Sequence, residues 1–183
     1  EMGARNVGDI REICDIVHPK HGIITSIGPQ HLEPFKSIDN ILHTKFELAD
    51  ALPSDGRLFL NYDNEYIKGY NKNSDAVTYS SVGNGRYNAS DIKTSVHGTS
   101  FTVTAPDGTQ AEFVTRLIGS HNVINVVGAI AVANTLGISL DELQKEDKEG
   151  KLLGTEMGLV QRNALLSEKV TKEREDYQSL KIG

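Results

Sequence analysis

Apolar residues recur at helical spacing over residues 8–17, where Ile10, Ile13, Cys14 and Val17 share one side and Pro19 closes the run. A second helical stripe follows Ser37, a predicted N-cap, through Ile38, Ile41, Leu42, Ala49 and Leu52. Between the two, residues 22–27 form a predicted strand that leads past Gly28-Pro29 into a loop carrying His31. Lys45 interrupts the second stripe, four residues after Ile41 and seven after Ile38, on the same face. A lysine placed there either snorkels to the edge of the stripe or serves a chemical purpose close to His31. The pattern leaves both readings open.

Pro53-Ser54-Asp55-Gly56 predicts a turn into a strand over residues 57–60. Asn61-Tyr62-Asp63-Asn64 stands at its end, as turn formers or as ligand-facing groups. A short helix over 65–70 and a strand over 76–80 follow. Strand, helix and strand in alternation predict an α/β domain with a largely parallel sheet and flanking helices. From residue 87 the period changes to two. Ile92, Thr94 and Val96 alternate, then Phe101, Val103 and Ala105, then Ala111, Phe113 and Thr115, with turns at His97-Gly98 and Asp107-Gly108. This predicts an antiparallel β ribbon appended to the parallel core. Residues 119–136 form a helix that is apolar nearly all round and ends at Gly137. Asn122 and Asn125 in its first turns either satisfy local backbone or present amides to a ligand. Ser139 and Glu142 make a capping box for one more helix. The pattern then weakens. Residues 1–143 are expected to form one domain, and 144–183 a charged segment with an exposed helix over 170–177.

Composition narrows the function. With 19 basic and 25 acidic residues the formal net charge is −6, and no basic tract points to nucleic acid. One cysteine, Cys14, excludes an internal disulfide and a multi-cysteine metal site. No apolar run is long enough to span a bilayer, and a cytoplasmic location is expected. Glu1, His31 and Lys45 together would suit a hard, oxygen-preferring cation such as Mg²⁺ if the lysine is masked as a carbamate; a structural role for a lone loop histidine is the other reading, and His18 and His43 carry no motif. No GxxxxGK[ST] phosphate loop occurs, so use of ATP would need residues beyond these. The chain is therefore expected to be a fragment, inactive alone.

Three blocks carry a resemblance: EMGARNVGDIREI from Glu1, TSIGPQHLEPFKSIDNILHTKFEL from Thr25 and LIGSHNVINVVGAIAVA from Leu117, with GRLFLNYDN from Gly56 between them. In this order they resemble the central, ATP-binding domain of the Mur ligase family, most nearly the branch that adds D-alanyl-D-alanine. The resemblance implies a partial central domain of an ATP-dependent amide ligase, working with ATP and Mg²⁺ in peptidoglycan synthesis. The implied partners are UDP-N-acetylmuramoyl-peptide and D-alanyl-D-alanine, received by flanking domains. It further implies Glu1, His31 and Lys45 at the metal, with Lys45 carbamylated and both Lys45 and His31 catalytic. Asn122 and Asn125, with His121 beside them, would lie near adenine. Asn61 and Asp63 match the start of an N-x-D-D turn whose last position is Asn64 here. Another Mur ligase, a folylpolyglutamate-type ligase, or a non-catalytic nucleotide-binding or partner module are the competing expectations.

Overall fold

A computed structural model describes residues 2–29, 35–71, 73–117 and 119–148, without the side chains of residues 120, 121, 147 and 148. Helix α1 (Asp9–Val17) precedes strand β1 (His21–Ile24), which is shorter than the predicted strand because residues 25–28 leave the ladder. Helix α2 (Ile38–Ala51) starts where the sequence expects it: the Asn40 amide donates to Ser37 Oγ at 3.2 Å. Strand β2 (Arg57–Asn61), helix α3 (Glu65–Tyr70), strand β3 (Val77–Ser80) and strands β4 (Tyr87–Ser95), β5 (Gly98–Thr104) and β6 (Gln110–Thr115) follow. Helices α4 (Ser120–Thr135) and α5 (Leu140–Lys148) complete the described part. The predicted helix over 170–177 lies outside the described residues.

Among the described residues the six strands form one sheet in the order β1-β2-β3-β4-β5-β6. Strands β1 to β4 pair parallel, while β4–β5 and β5–β6 pair antiparallel. The ribbon is thus continuous with the parallel core. Their seam is short, with Tyr79 opposite Tyr87 and Ser80 opposite Asn88. A parallel pair ordinarily needs a crossover of a dozen or more residues, whereas here residues 81–86 make the return. Asn88 clips that loop, accepting from the Gly85 amide at 2.8 Å and donating to the Gly85 carbonyl at 2.7 Å. A Cβ on Gly85 would stand 2.7 Å from the Tyr87 carbonyl oxygen and 2.8 Å from the Tyr79 backbone.

Side-chain alternation divides the interior into two cores. Leu58 and Leu60 point to one face, where Ile24, Ile41, Leu42, Phe46 and Ile67 meet them from β1, α2 and α3. Phe59 points to the other, joining Tyr79, Phe101, Val103 and Phe113 under Val123, Val127 and Ile130 of α4 and Leu140 and Leu143 of α5. On α4, Val123, Val127, Ile130 and Ala131 are almost fully buried, while Ile124, Val132 and Ala133 are partly so. In the ribbon one alternation breaks. Tyr87 and Ala89 face the α4 core, then a bulge between Ser90 and Lys93, with Asp91 at φ 52, shifts the phase so that Ile92 packs there instead. Val96, expected on a strand, sits in the hairpin turn and is 85% exposed. The capping box forms, with Ser139 Oγ donating to Glu142 at 2.7 Å and accepting from its amide at 3.3 Å. Helix α5 then runs on to Lys148, across the expected domain limit. No helix among the described residues is long and apolar enough to cross a membrane.

Replacing Gly85 by alanine should cost about 1–3 kcal/mol, because the new methyl meets backbone on both sides and neither can yield cheaply. Urea denaturation of the two proteins would measure it; an unchanged midpoint would contradict the tight return from β3 to β4.

Candidate functional site

Strand direction gathers three connections at one edge of the sheet: residues 25–28 after β1, 62–64 after β2 and 81–82 after β3. Because β5 reverses the chain and β6 reverses it again, α4 also starts from that edge. Ligands of open α/β sheets bind at the carboxyl ends of parallel strands.

The end of β2 is a hydrogen-bonded knot. Asn61 Nδ2 donates to the Thr25 carbonyl at 2.8 Å, and its Oδ1 accepts from the Asp63 amide at 2.9 Å. Asn64 caps α3 by accepting from the Ile67 amide at 3.1 Å, and its Nδ2 donates to the Ile27 carbonyl at 2.8 Å. Asp63 turns the other way. Its carboxylate accepts from Ser80 Oγ at 2.5 Å, Ser81 Oγ at 2.5 Å and the Ser81 amide at 2.8 Å. Ser80 Oγ in turn accepts from the amides of Val82 and Asn84, at 3.0 and 3.1 Å. Asn61 and Asp63 therefore hold the loops on either side of β2. The roles of Ser80 and Ser81 were not evident from the sequence, although a serine pair at a strand end opposite an acidic turn is a usable signal.

A cleft of about 730 Å³ opens between residues 2–4, β1 with its 25–28 loop, and α2. Lys45 lines it from the middle of α2, with Ile41 and Leu48 on the same helix and Phe35 and Ile27 nearby. The stripe is built from Ile41, Leu42 and Phe46, which are buried; Ile38, Ala49 and Leu52 are half-buried around it, and so is Lys45. Among the described residues Lys45 has no hydrogen-bond or ion-pair partner. Two residues before it, His43 shares a 2.5 Å hydrogen bond with the Tyr70 hydroxyl at the surface.

Of the other sequence-derived site residues, Glu1 and His31 lie outside the described residues, as does the side chain of His121. Met2 and Gly28 are among the described residues that line the Lys45 cleft. Asn122 is half-buried and Asn125 exposed in the first turns of α4, which covers the opposite face of the sheet from α2. Lys45 and the Asn122–Asn125 turn thus belong to helices on opposite faces of the sheet. For a hard cation the described lining offers the Thr25 and Ser26 hydroxyls and backbone carbonyls. An ammonium group opposes such an ion, whereas a carbamate on Lys45 would present two oxygens; among the described residues no group of three or more His, Cys, Asp or Glu side chains could hold a metal ion.

A family model described as the Mur ligase middle domain matches residues 1–133. The UDP-N-acetylmuramoyl-tripeptide--D-alanyl-D-alanine ligase of Haemophilus influenzae is 29% identical over 160 residues, 83% of this chain and 34% of that protein. The UDP-N-acetylmuramate--L-alanine ligase of Alkaliphilus metalliredigens is 30% identical over 178 residues, 92% of this chain and 37% of that protein. A crystal structure of MurF from Acinetobacter baumannii superposes with a TM-score of 0.70 at 25% identity, covering 79% of this chain and 32% of that one. The chain spans about a third of the length of these relatives.

Asp63→Asn should detach the 81–82 loop, costing about 1–3 kcal/mol through the hydrogen bonds lost to Ser80 and Ser81. Faster amide exchange at Ser81, Val82 and Asn84 with β3 itself unaltered is the expected signature; wild-type exchange there would show that the loop holds itself.

Proposed function

The chain belongs to the Mur ligase middle-domain family, within the ATP-dependent amide ligases, and from this we propose that it is the central, ATP-binding domain of an enzyme joining D-alanyl-D-alanine to UDP-N-acetylmuramoyl-tripeptide. In that reaction the peptide carboxylate takes the γ-phosphoryl group of ATP and ADP leaves. The dipeptide amine then attacks the acyl phosphate, giving an amide and inorganic phosphate with loss of one amine proton. The observation that supports this reading is the cleft beside Lys45, whose lining includes Met2, Thr25, Ser26 and Gly28.

Glu1, His31 and carbamylated Lys45 would hold Mg²⁺, which neutralises charge on the transferring phosphoryl oxygens when bound. Asn122 and Asn125, with His121, would face adenine from the start of α4. Asn61 and Asp63 would act on the nucleotide side through the loops they hold. Residues 1–143 would then be the ATP-binding unit, followed by the charged segment 144–183. The substrates themselves would be received by domains beyond these residues, so the isolated chain has no ligase activity in this reading. A cytoplasmic location follows from the nucleotide-linked substrates. The coverage of the L-alanine-adding relative, 92% of this chain, favours that activity as the second reading.

The test expresses the whole open reading frame containing this sequence and follows ADP release with UDP-N-acetylmuramoyl-tripeptide plus D-alanyl-D-alanine, and with UDP-N-acetylmuramate plus L-alanine. Turnover with the first pair alone is expected. Lys45→Met should lower kcat by about 10²-fold or more, as loss of one electrostatic stabiliser does elsewhere. ¹³C-bicarbonate should give a carbamate resonance in wild type that this variant lacks. Turnover with L-alanine would shift the assignment to the second reading, and none with either pair would sink both.

A further inference from the structure

The first N–H groups of α1 have no acceptor within the helix. Gly8, its N-cap at φ 94, has no side chain to offer one. The acceptor comes from another helix. Glu47 of α2 takes the Gly8 amide on Oε1 at 2.9 Å and the Arg11 amide on Oε2 at 2.8 Å, from 39 and 36 residues away. Using both oxygens fixes orientation as well as distance, and the helix dipole favours the anion there. A second carboxylate shapes the approach: Asp9, buried, accepts from the Arg5 and Asn6 amides at 2.8 and 3.0 Å. Ala4, just upstream, packs against the α2-side core.

Glu47 and Lys45 are two residues apart on α2, about 200° around its axis. Lys45 therefore lines the cleft while Glu47 does not. We propose that Glu47 is a positioning residue: it clamps residues 2–8 onto α2 and so sets the width of the cleft beside Lys45. Its bearing on catalysis rests on the magnesium reading above; the clamp itself does not.

The test compares the 183-residue chain with Glu47→Gln. Glutamine keeps the shape but turns an amino group toward one of the two backbone donors. In carbon-dioxide-depleted buffer, a water-soluble succinimidyl ester acylates lysines, and mass spectrometry gives the Lys45 rate relative to exposed Lys93. We expect this ratio to rise severalfold, and exchange at the Gly8 and Arg11 amides to rise about tenfold, in keeping with loss of hydrogen bonds to a charged acceptor. Glu47→Asp, charged but one methylene short, should fall between and serves if the glutamine variant does not fold. Ile67→Val, which weakens the same core without touching the clamp, should leave the ratio at its wild-type value. A wild-type ratio in Glu47→Gln despite faster amide exchange would reduce Glu47 to a cap of α1 and overturn the proposal. An equal rise in Ile67→Val would also overturn it. Mn²⁺ titration of the wild-type chain, read by electron paramagnetic resonance, judges the magnesium reading separately: no uptake removes that reading, while the acylation ratio still decides the clamp.

Discussion

The carboxylate and amides at the end of β2 carry the geometry of the whole sheet edge. Asn61 and Asn64 pull the β1 loop in by its carbonyls, and Asp63 pulls the β3 loop in by its hydroxyls and amide. Each loop breaks from its ladder within a residue of the strand end, so its backbone groups need new partners. The β2 knot supplies them, and by doing so fixes the direction in which both loops leave. A parallel sheet with helices on both faces gives an edge where loops converge; the knot decides how they converge.

Beneath that edge the fold rests on β2 having no polar face. Leu58 and Leu60 serve one core and Phe59 the other, each almost fully buried. The two helical layers therefore share a single strand as their partition. Lys45 belongs to the helix on one face and the Asn122–Asn125 turn to the helix on the other.

Much of this was legible in the sequence because it is local. The Ser37 cap, the α2 stripe, the Glu65–Tyr70 helix and the Ser139–Glu142 box all depend on residues within one or two turns. What was not legible depends on distant partners. Glu47 looks like any exposed helical glutamate until α1 lies beside it, and the Ile92 alternation conceals a bulge that only pairing with β5 reveals. For the site, Lys45 was conspicuous because a cation interrupts an apolar stripe. Asn61 and Asp63 left two readings open, and their observed bonds to Thr25, Ser80 and Ser81 give them a scaffold role that spacing alone could not distinguish from ligand binding.

Sheet order here equals chain order, so every strand among the described residues pairs only with its predecessor and successor. No strand has to be threaded between two that are already joined. The loop closed between β3 and β4 is only six residues, and the entropy of closing loops grows slowly with their length. The sheet can therefore assemble as a zipper, from the β3–β6 half outward to β2 and β1, with mostly short-range closures of the kind that favour fast folding. The same order means that removing residues from the β1 side uncovers a new edge but leaves every remaining pairing, and both registers at the β3–β4 seam, as they were.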